Sequence, residues 1–168
     1  VPLHPLLHGG GQERELRSGT ENVAGIVGFA KALSLLQQQK DHESKRLMHL
    51  RDKLVQGIKK SIQNTVLNGH PTQRLPGNAS ITFPGVDTEA LLIAMNEHGI
   101  FASAGSACTS RKLGPSHVIM ATGVSAERAE GTIRFTLGKE TTEKQIDYVL
   151  NVLPDLVKKL RSVSTRHA

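Results

Sequence analysis

The chain has 168 residues, of which 38% are hydrophobic, 21% charged and 3% aromatic, and it carries a net charge of +6. That composition is ordinary for a globular chain with an aliphatic core. It lacks the apolar run of about 18 residues that a membrane span needs, and its one cysteine excludes an intrachain disulfide. No signal peptide is visible, and nothing points to secretion. The positive charge permits nucleic-acid contact, but Lys and Arg are spread along faces that also carry Glu and Asp. Without a basic block or interleaved aromatics, direct nucleic-acid binding is set aside. The chain begins Val1-Pro2-Leu3 without a Met, which reads as a fragment or a processed piece.

Residues 1–8 are apolar, contain two prolines and read as the end of an extended segment. A glycine-rich loop follows, from Gly9-Gly10-Gly11 to Ser18-Gly19-Thr20-Glu21-Asn22. Glycines, two arginines and a hydroxyl just before a helix suit anion binding, and a flexible loop with an N-cap explains the stretch nearly as well. Neither the P-loop ending nor the dinucleotide glycine spacing is present.

Helical periodicity predicts one helix over 21–38, through Val23, Ile26, Val27, Ala30, Leu33 and Leu36, and a longer one over 41–63. Leu47, Leu50, Leu54, Ile58 and Ile62 form the apolar stripe of the second. Val66-Leu67 reads as a short strand, and Ala79-Ser80-Ile81-Thr82-Phe83 as a strand closed by Pro84-Gly85. Residues 87–97 read as a helix capped by Asp87 or Thr88, and Ile100-Phe101-Ala102 as a short strand. Short helices are expected over 115–122 and from Ser125 to about Glu130. Thr132-Ile133-Arg134-Phe135-Thr136-Leu137 alternates as a strand, with Ile133, Phe135 and Leu137 on one side. The last helix starts at Thr141 or Thr142, where Thr142 and Gln145 fit a capping box. Its buried face runs from Ile146 to Leu160, Pro154 should kink it, and the tail after Ser162 is expected to be loose. The composition shift near 64–78 divides the chain into 1–63, a loop with two linking helices, and 64–168, a small α+β domain.

Cys108 lies in Ser103-Ala104-Gly105-Ser106-Ala107-Cys108-Thr109-Ser110, among small residues that would let a large ligand approach. The polar run Arg111-Lys112-Leu113-Gly114-Pro115-Ser116 after it reads as a mobile loop. Two basic residues so close favour the thiolate, the nucleophilic form. A lone cysteine is also a common small buried hydrophobe, and the residues alone leave both readings open. Arg134 sits in the middle of a strand pattern. It either faces solvent or offers its planar fork to a carboxylate. Eight histidines give no metal-ligand spacing, so no metal site is expected.

Three blocks together resemble the cysteine desulfurases, pyridoxal-phosphate enzymes of the class V aminotransferase group. They are Gly9 to Asn22, Ser103 to Ser110, and Thr132-Ile-Arg-Phe-Thr-Leu-Gly138, whose arginine follows Cys108 by 26 residues. The resemblance covers essentially the whole chain and corresponds to the C-terminal part of such an enzyme. It implies an α+β fold, the C-terminal part of a fold type I enzyme. Two long helices would accompany a small domain whose short, mostly antiparallel sheet is covered by helices.

The resemblance also implies roles. Cys108 would be the nucleophile that takes sulfur from L-cysteine as a persulfide, releasing L-alanine. Arg134 would hold the substrate carboxylate, and Thr20 would contact the phosphate of the partner subunit's pyridoxal 5'-phosphate. The persulfide would then serve iron–sulfur cluster assembly or tRNA thiolation through a sulfur-acceptor or scaffold protein. A homodimer in the cytoplasm, or in an organelle matrix, is expected. The family's cofactor lysine, ring-stacking histidine and ring-nitrogen aspartate have no counterpart here, so this chain alone is expected to be inactive. The alternatives are a selenocysteine lyase, which shares the fold, and a non-catalytic sulfur-carrier or dimerisation module.

Overall fold

The computed structural model describes residues 2–105 and 116–164. It divides into two compact units, Val1–Asp41 and His42–Ala168.

In the first unit the glycine-rich loop folds on itself. Ser18 Oγ donates to the Gly10 carbonyl at 2.7 Å, and the Gly19 N–H donates to Gln12 Oε1 at 3.3 Å. Between them lies a 3₁₀ turn, Gln12–Glu15. Glu13, Arg14 and Glu15 have φ of 50, 57 and 64°, a region costly for residues with a Cβ. Helix α1, Val23–Ser61, follows. Asn22 caps it by accepting the Gly25 N–H on Oδ1 at 2.9 Å.

The two helices expected over 21–38 and 41–63 are one helix of 39 residues. The joint, Gln37-Gln38-Gln39-Lys40-Asp41-His42, contains neither Gly nor Pro, so nothing ends the helical hydrogen bonding there. The first apolar stripe is exposed: Val23, Ile26, Val27, Phe29 and Leu36 all keep most of their surface in solvent. The second stripe is buried. Leu50, Leu54, Ile58 and Ile62 belong to the main core of the second unit.

That unit is α+β, built on a three-stranded antiparallel sheet in the order β1 (Val66–Leu67), β2 (Asn78–Thr82), β3 (Thr132–Thr136). The register pairs Asn78 with Thr136, Ser80 with Arg134 and Thr82 with Thr132. Ala79, Ile81, Ile133 and Phe135 are buried in the core with residues of α1, α2 (Thr88–Glu97) and α5 (Glu143–Ser164). That core is mostly aliphatic, as the composition requires, with Phe83 and Phe135 as its two aromatic members.

Local chemistry sets the element ends. Asp87 caps α2 by accepting the Ala90 N–H at 2.7 Å. Asp87→Ala is expected to destabilise this unit by about 1 kcal/mol in denaturant titration, and Asp87→Asn, which keeps the acceptor, to cost much less. At the other end Gly99 adopts φ +70°, and the Gly99 and Ile100 N–H groups return to the Asn96 and Met95 carbonyls. This Schellman closure uses the Ile100 N–H, which explains why the strand expected over Ile100-Phe101-Ala102 does not form. Pairing to β3 is confined to one bridge, Ser103 with Arg134.

Two short helices follow, α3 (His117–Met120) and α4 (Ala126–Ala129). The expected capping box is present, with the Thr142 N–H donating to Gln145 Oε1 at 2.8 Å and the Gln145 N–H to Thr142 Oγ1 at 3.3 Å. Helix α5 continues past Pro154 to Ser164, and Ile146, Leu153 and Val157 are its buried residues. Arg46 joins α1 to the β3–α5 turn by donating to the carbonyls of Gly138, Lys139 and Thr141 at 3.1, 2.9 and 2.6 Å. Its hydrogen bond to Glu43 holds that carboxyl below the ordinary 4.5. The pair therefore supports the fold above that value, and its contribution is lost as the pH falls through the lowered pKa. Among the described residues no helix is long and apolar enough to cross a membrane.

Candidate functional site

Strand alternation gives the sheet a second, polar face. Asn78, Ser80 and Thr82 of β2 lie opposite Thr136, Arg134 and Thr132 of β3, and directly paired residues share a face. Buried hydrogen bonds brace one end of it. Asn68 Nδ2 donates to Thr82 Oγ1 at 2.9 Å and to Ser80 Oγ at 3.3 Å. The Thr82 and Thr132 hydroxyls are 2.7 Å apart. Asn68, Thr82 and Thr132 are all buried, so a satisfied ladder of this kind is rigid.

Arg74 fixes the loop that carries Asn68. It donates to the Asn68 carbonyl at 2.6 Å and to the His70 carbonyl at 2.8 Å. Burial, then the nearby Arg51 charge, push its pKa down, although an arginine stays charged in proteins.

Arg134 stands beside this ladder and is half-buried. Its backbone exchanges two hydrogen bonds with Ser103, at 2.7 and 3.2 Å. Its Nη1 donates to the Gly105 carbonyl. Gly105 has φ +55°, and a Cβ built there would lie 3.1 Å from Ser116 Cβ. Gly105 and Ser116 are thus neighbours in space, although ten residues separate them in sequence. A cavity of about 260 Å³ lies over the polar face, lined by Asn68, Ser80, Arg134, Gly105, Ser116 and Ile119 among others.

The three residues singled out in the sequence stand as follows. Arg134 faces the cavity. Thr20 is exposed in the first unit. Cys108 lies outside the described residues, which end at Gly105 and resume at Ser116. Sequence reasoning did not pick out Asn68 or Ser80, and it named Gly105 only as part of the cysteine motif. The alternation in β2 was a signal for Ser80, since it opposes Ala79 and Ile81. The link from Arg134 to Gly105 had no signal, because it depends on register. Among the described residues no group of three or more His, Cys, Asp or Glu could hold a metal.

The sequence matches the family described as Aminotransferase class-V over residues 4–149. A protein named cysteine desulfurase IscS from Methanosarcina thermophila is 49% identical over 164 residues, which is 98% of this chain and 40% of that protein. One of the same name, numbered 1, from Archaeoglobus fulgidus is 45% identical over 98% of this chain and 43% of its own length. A solved structure named NifS-like protein aligns with a TM-score of 0.79 at 36% identity, covering 95% of this chain and 40% of that one. A NifS-like protein from Rickettsia africae aligns at 0.78 and 31% identity, over 94% of this chain and 41% of that one. The chain thus spans about two fifths of the length of these relatives.

Proposed function

The chain belongs to the class-V aminotransferase family, and on that premise we propose that it is the C-terminal segment of a cysteine desulfurase, carrying the sulfur-accepting thiol Cys108 and the carboxylate-binding Arg134. One observation carries the reading: Arg134, Gly105 and Ser116 line the same cavity. Cys108 is three residues along the chain from Gly105, a span of about 11 Å at full extension. The thiol is therefore tethered within reach of a substrate held by Arg134. The relatives named cysteine desulfurase supply the reaction.

The residues present fit one end of the expected cofactor. Thr20 is exposed and follows the glycine-rich loop just before the N-terminus of α1, a setting that suits a phosphate oxygen. In this reading Thr20 holds the phosphate of the partner subunit's pyridoxal phosphate, and the cofactor lysine lies outside this sequence. Pyridoxal phosphate, when bound, supplies the electron sink that weakens the substrate C–S bond.

The rest falls to this chain. The Arg134 guanidinium holds the α-carboxylate of L-cysteine and fixes the orientation of its sulfur. The Cys108 thiolate attacks that sulfur. An S–S bond forms, the substrate C–S bond breaks, and its electron pair stays on carbon, which takes a proton and leaves as L-alanine. Cys108 is left as a persulfide, a nucleophilic-catalysis intermediate that passes its outer sulfur to an acceptor protein. In this reading that sulfur serves iron–sulfur cluster assembly or tRNA thiolation. The fragment by itself is inactive in this reading, and the working protein is a homodimer in the cytoplasm or an organelle matrix.

The test is steady-state desulfuration by the full-length protein loaded with pyridoxal phosphate. Arg134→Gln should raise KM for L-cysteine about 10- to 150-fold, the loss of a charge-assisted bond worth about 1.5–3 kcal/mol. It should cost turnover of cysteamine, which has no carboxylate, far less than it costs turnover of L-cysteine. Equal losses with both substrates would remove Arg134 from the carboxylate role. A preference for L-selenocysteine over L-cysteine in the same assay would instead make the protein a selenocysteine lyase.

A further inference from the structure

Ser80 lines the cavity and stands directly across β2 and β3 from Arg134. The Arg134 N–H and carbonyl are both bonded to Ser103 on the opposite side. Ser80 and Arg134 are therefore a non-hydrogen-bonded pair of the antiparallel ladder, the kind in which facing side chains come closest. The Arg134 side chain leans towards the Ser103 side, because Nη1 donates to the Gly105 carbonyl two residues further on. The cavity thus opens between the guanidinium and the Ser80 hydroxyl, which both line it.

The hydrogen bonding of Ser80 has a direction. Asn68 Nδ2 reaches Ser80 Oγ at 3.3 Å, and an amide nitrogen only donates. Ser80 is the acceptor in that bond and keeps its own O–H proton for another partner. Asn68 is buried, and Thr82 Oγ1 holds it in this orientation by accepting from the same nitrogen at 2.9 Å. The described residues that line the cavity include no Asp or Glu, so among them no carboxylate competes for Arg134 or for that proton.

We propose that the Ser80 hydroxyl is a second binding group for the substrate carboxylate, donating to it beside the Arg134 guanidinium, with Asn68 as the positioning residue that turns the hydroxyl proton into the cavity. A carboxylate has about four lone-pair sites and a guanidinium fork takes two of them, so both groups are served at once. Two donors on neighbouring strands fix the plane of the carboxylate, which one charge alone does not, and so orient the rest of the substrate.

This inference rests on the reading of Arg134 as the carboxylate-binding arginine. Its test is steady-state kinetics with the full-length protein loaded with pyridoxal phosphate. Ser80→Ala should raise KM for L-cysteine about tenfold, as expected for a lost hydrogen bond to a charged group, and leave kcat within about threefold. Damage to the fold would instead lower kcat through the active fraction and leave KM alone. L-Alanine, which has the carboxylate but no sulfur, is the probe for the carboxylate itself. Its competitive inhibition constant should rise by the same factor. Ser80→Thr keeps the hydroxyl on a residue that suits a strand, and should hold both constants within about threefold of wild type. A KM within about threefold of wild type in Ser80→Ala overturns the proposal, and so does a Ser80→Thr as weak as Ser80→Ala. A raised KM with an unchanged L-alanine constant also overturns it, because the lost contact is then to the sulfur. Arg134→Gln measured in the same way separates the two readings. If it raises both constants while Ser80→Ala raises neither, only the hydroxyl role falls. If neither variant raises the L-alanine constant, the carboxylate reading of Arg134 falls as well.

Discussion

Cys108→Ala should reduce sulfide release from L-cysteine by about 1,000-fold or more in the full-length protein loaded with pyridoxal phosphate. Removing a covalent nucleophile typically costs that much or more. No second thiol in this chain could substitute, because Cys108 is its single cysteine. In the proposed reading the loss falls on turnover, since the carboxylate site assigned to Arg134 is unaltered. Cofactor absorbance and thermal midpoint should stay at wild-type values. A buried structural cysteine would behave in the opposite way, with a modest loss of stability and near-normal turnover. Mass spectrometry gives a second readout: wild-type protein treated with L-cysteine should gain one sulfur atom on Cys108, and the alanine variant none. Sulfide release above about a tenth of wild type would end the nucleophile assignment.

Phe83→Ala should destabilise the second unit by about 3–5 kcal/mol, the usual cost of deleting a buried phenyl ring. Phe83 is 0% exposed, and its backbone is engaged on both sides. Its N–H donates to the Gly131 carbonyl at 2.9 Å, and its carbonyl accepts the Val86 N–H at 3.2 Å. Gly131 has φ +77°, and a Cβ there would lie 2.5 Å from the Phe83 oxygen. The strand is therefore held close, and the core cannot collapse into the space left by the ring. Phe101→Ala is the matched control. Phe101 is 82% exposed, so its loss should cost within about 0.5 kcal/mol. Urea titration should move the midpoint for Phe83→Ala with an unchanged slope. Equal midpoints for the two variants would mean that the core is not centred where the structure has it.

Sequence patterning made much of the second unit legible because local rules and packing agree there. The alternation in Asn78–Thr82 and Thr132–Thr136 survives as a sheet with one apolar and one polar face. The caps at Asp87 and Thr142 are side-chain to backbone bonds within three residues, so spacing reveals them. The helix spanning positions 38 to 41 was less legible. Two apolar stripes read as two helices, yet no breaker separates them, and only the continuous backbone of α1 resolves the point. The exposed stripe at Val23, Ile26 and Val27 shows the limit of periodicity, which identifies an apolar face but not what covers it.

The class of fold, the covalent position of the one thiol and the arginine 26 residues beyond it are legible in the unfolded chain. These follow from residue identity, periodicity and spacing, which are properties of the chain before it folds. Tertiary structure decided what Arg134 meets. The antiparallel register sets it against Ser80 on one side and Ser103 on the other, and from there its side chain reaches Gly105. A shift of one residue in that register would turn Arg134 into the apolar core. Strand pairing is a contact between segments far apart in sequence, so no local pattern encodes it. It is fixed when the two apolar faces are buried together.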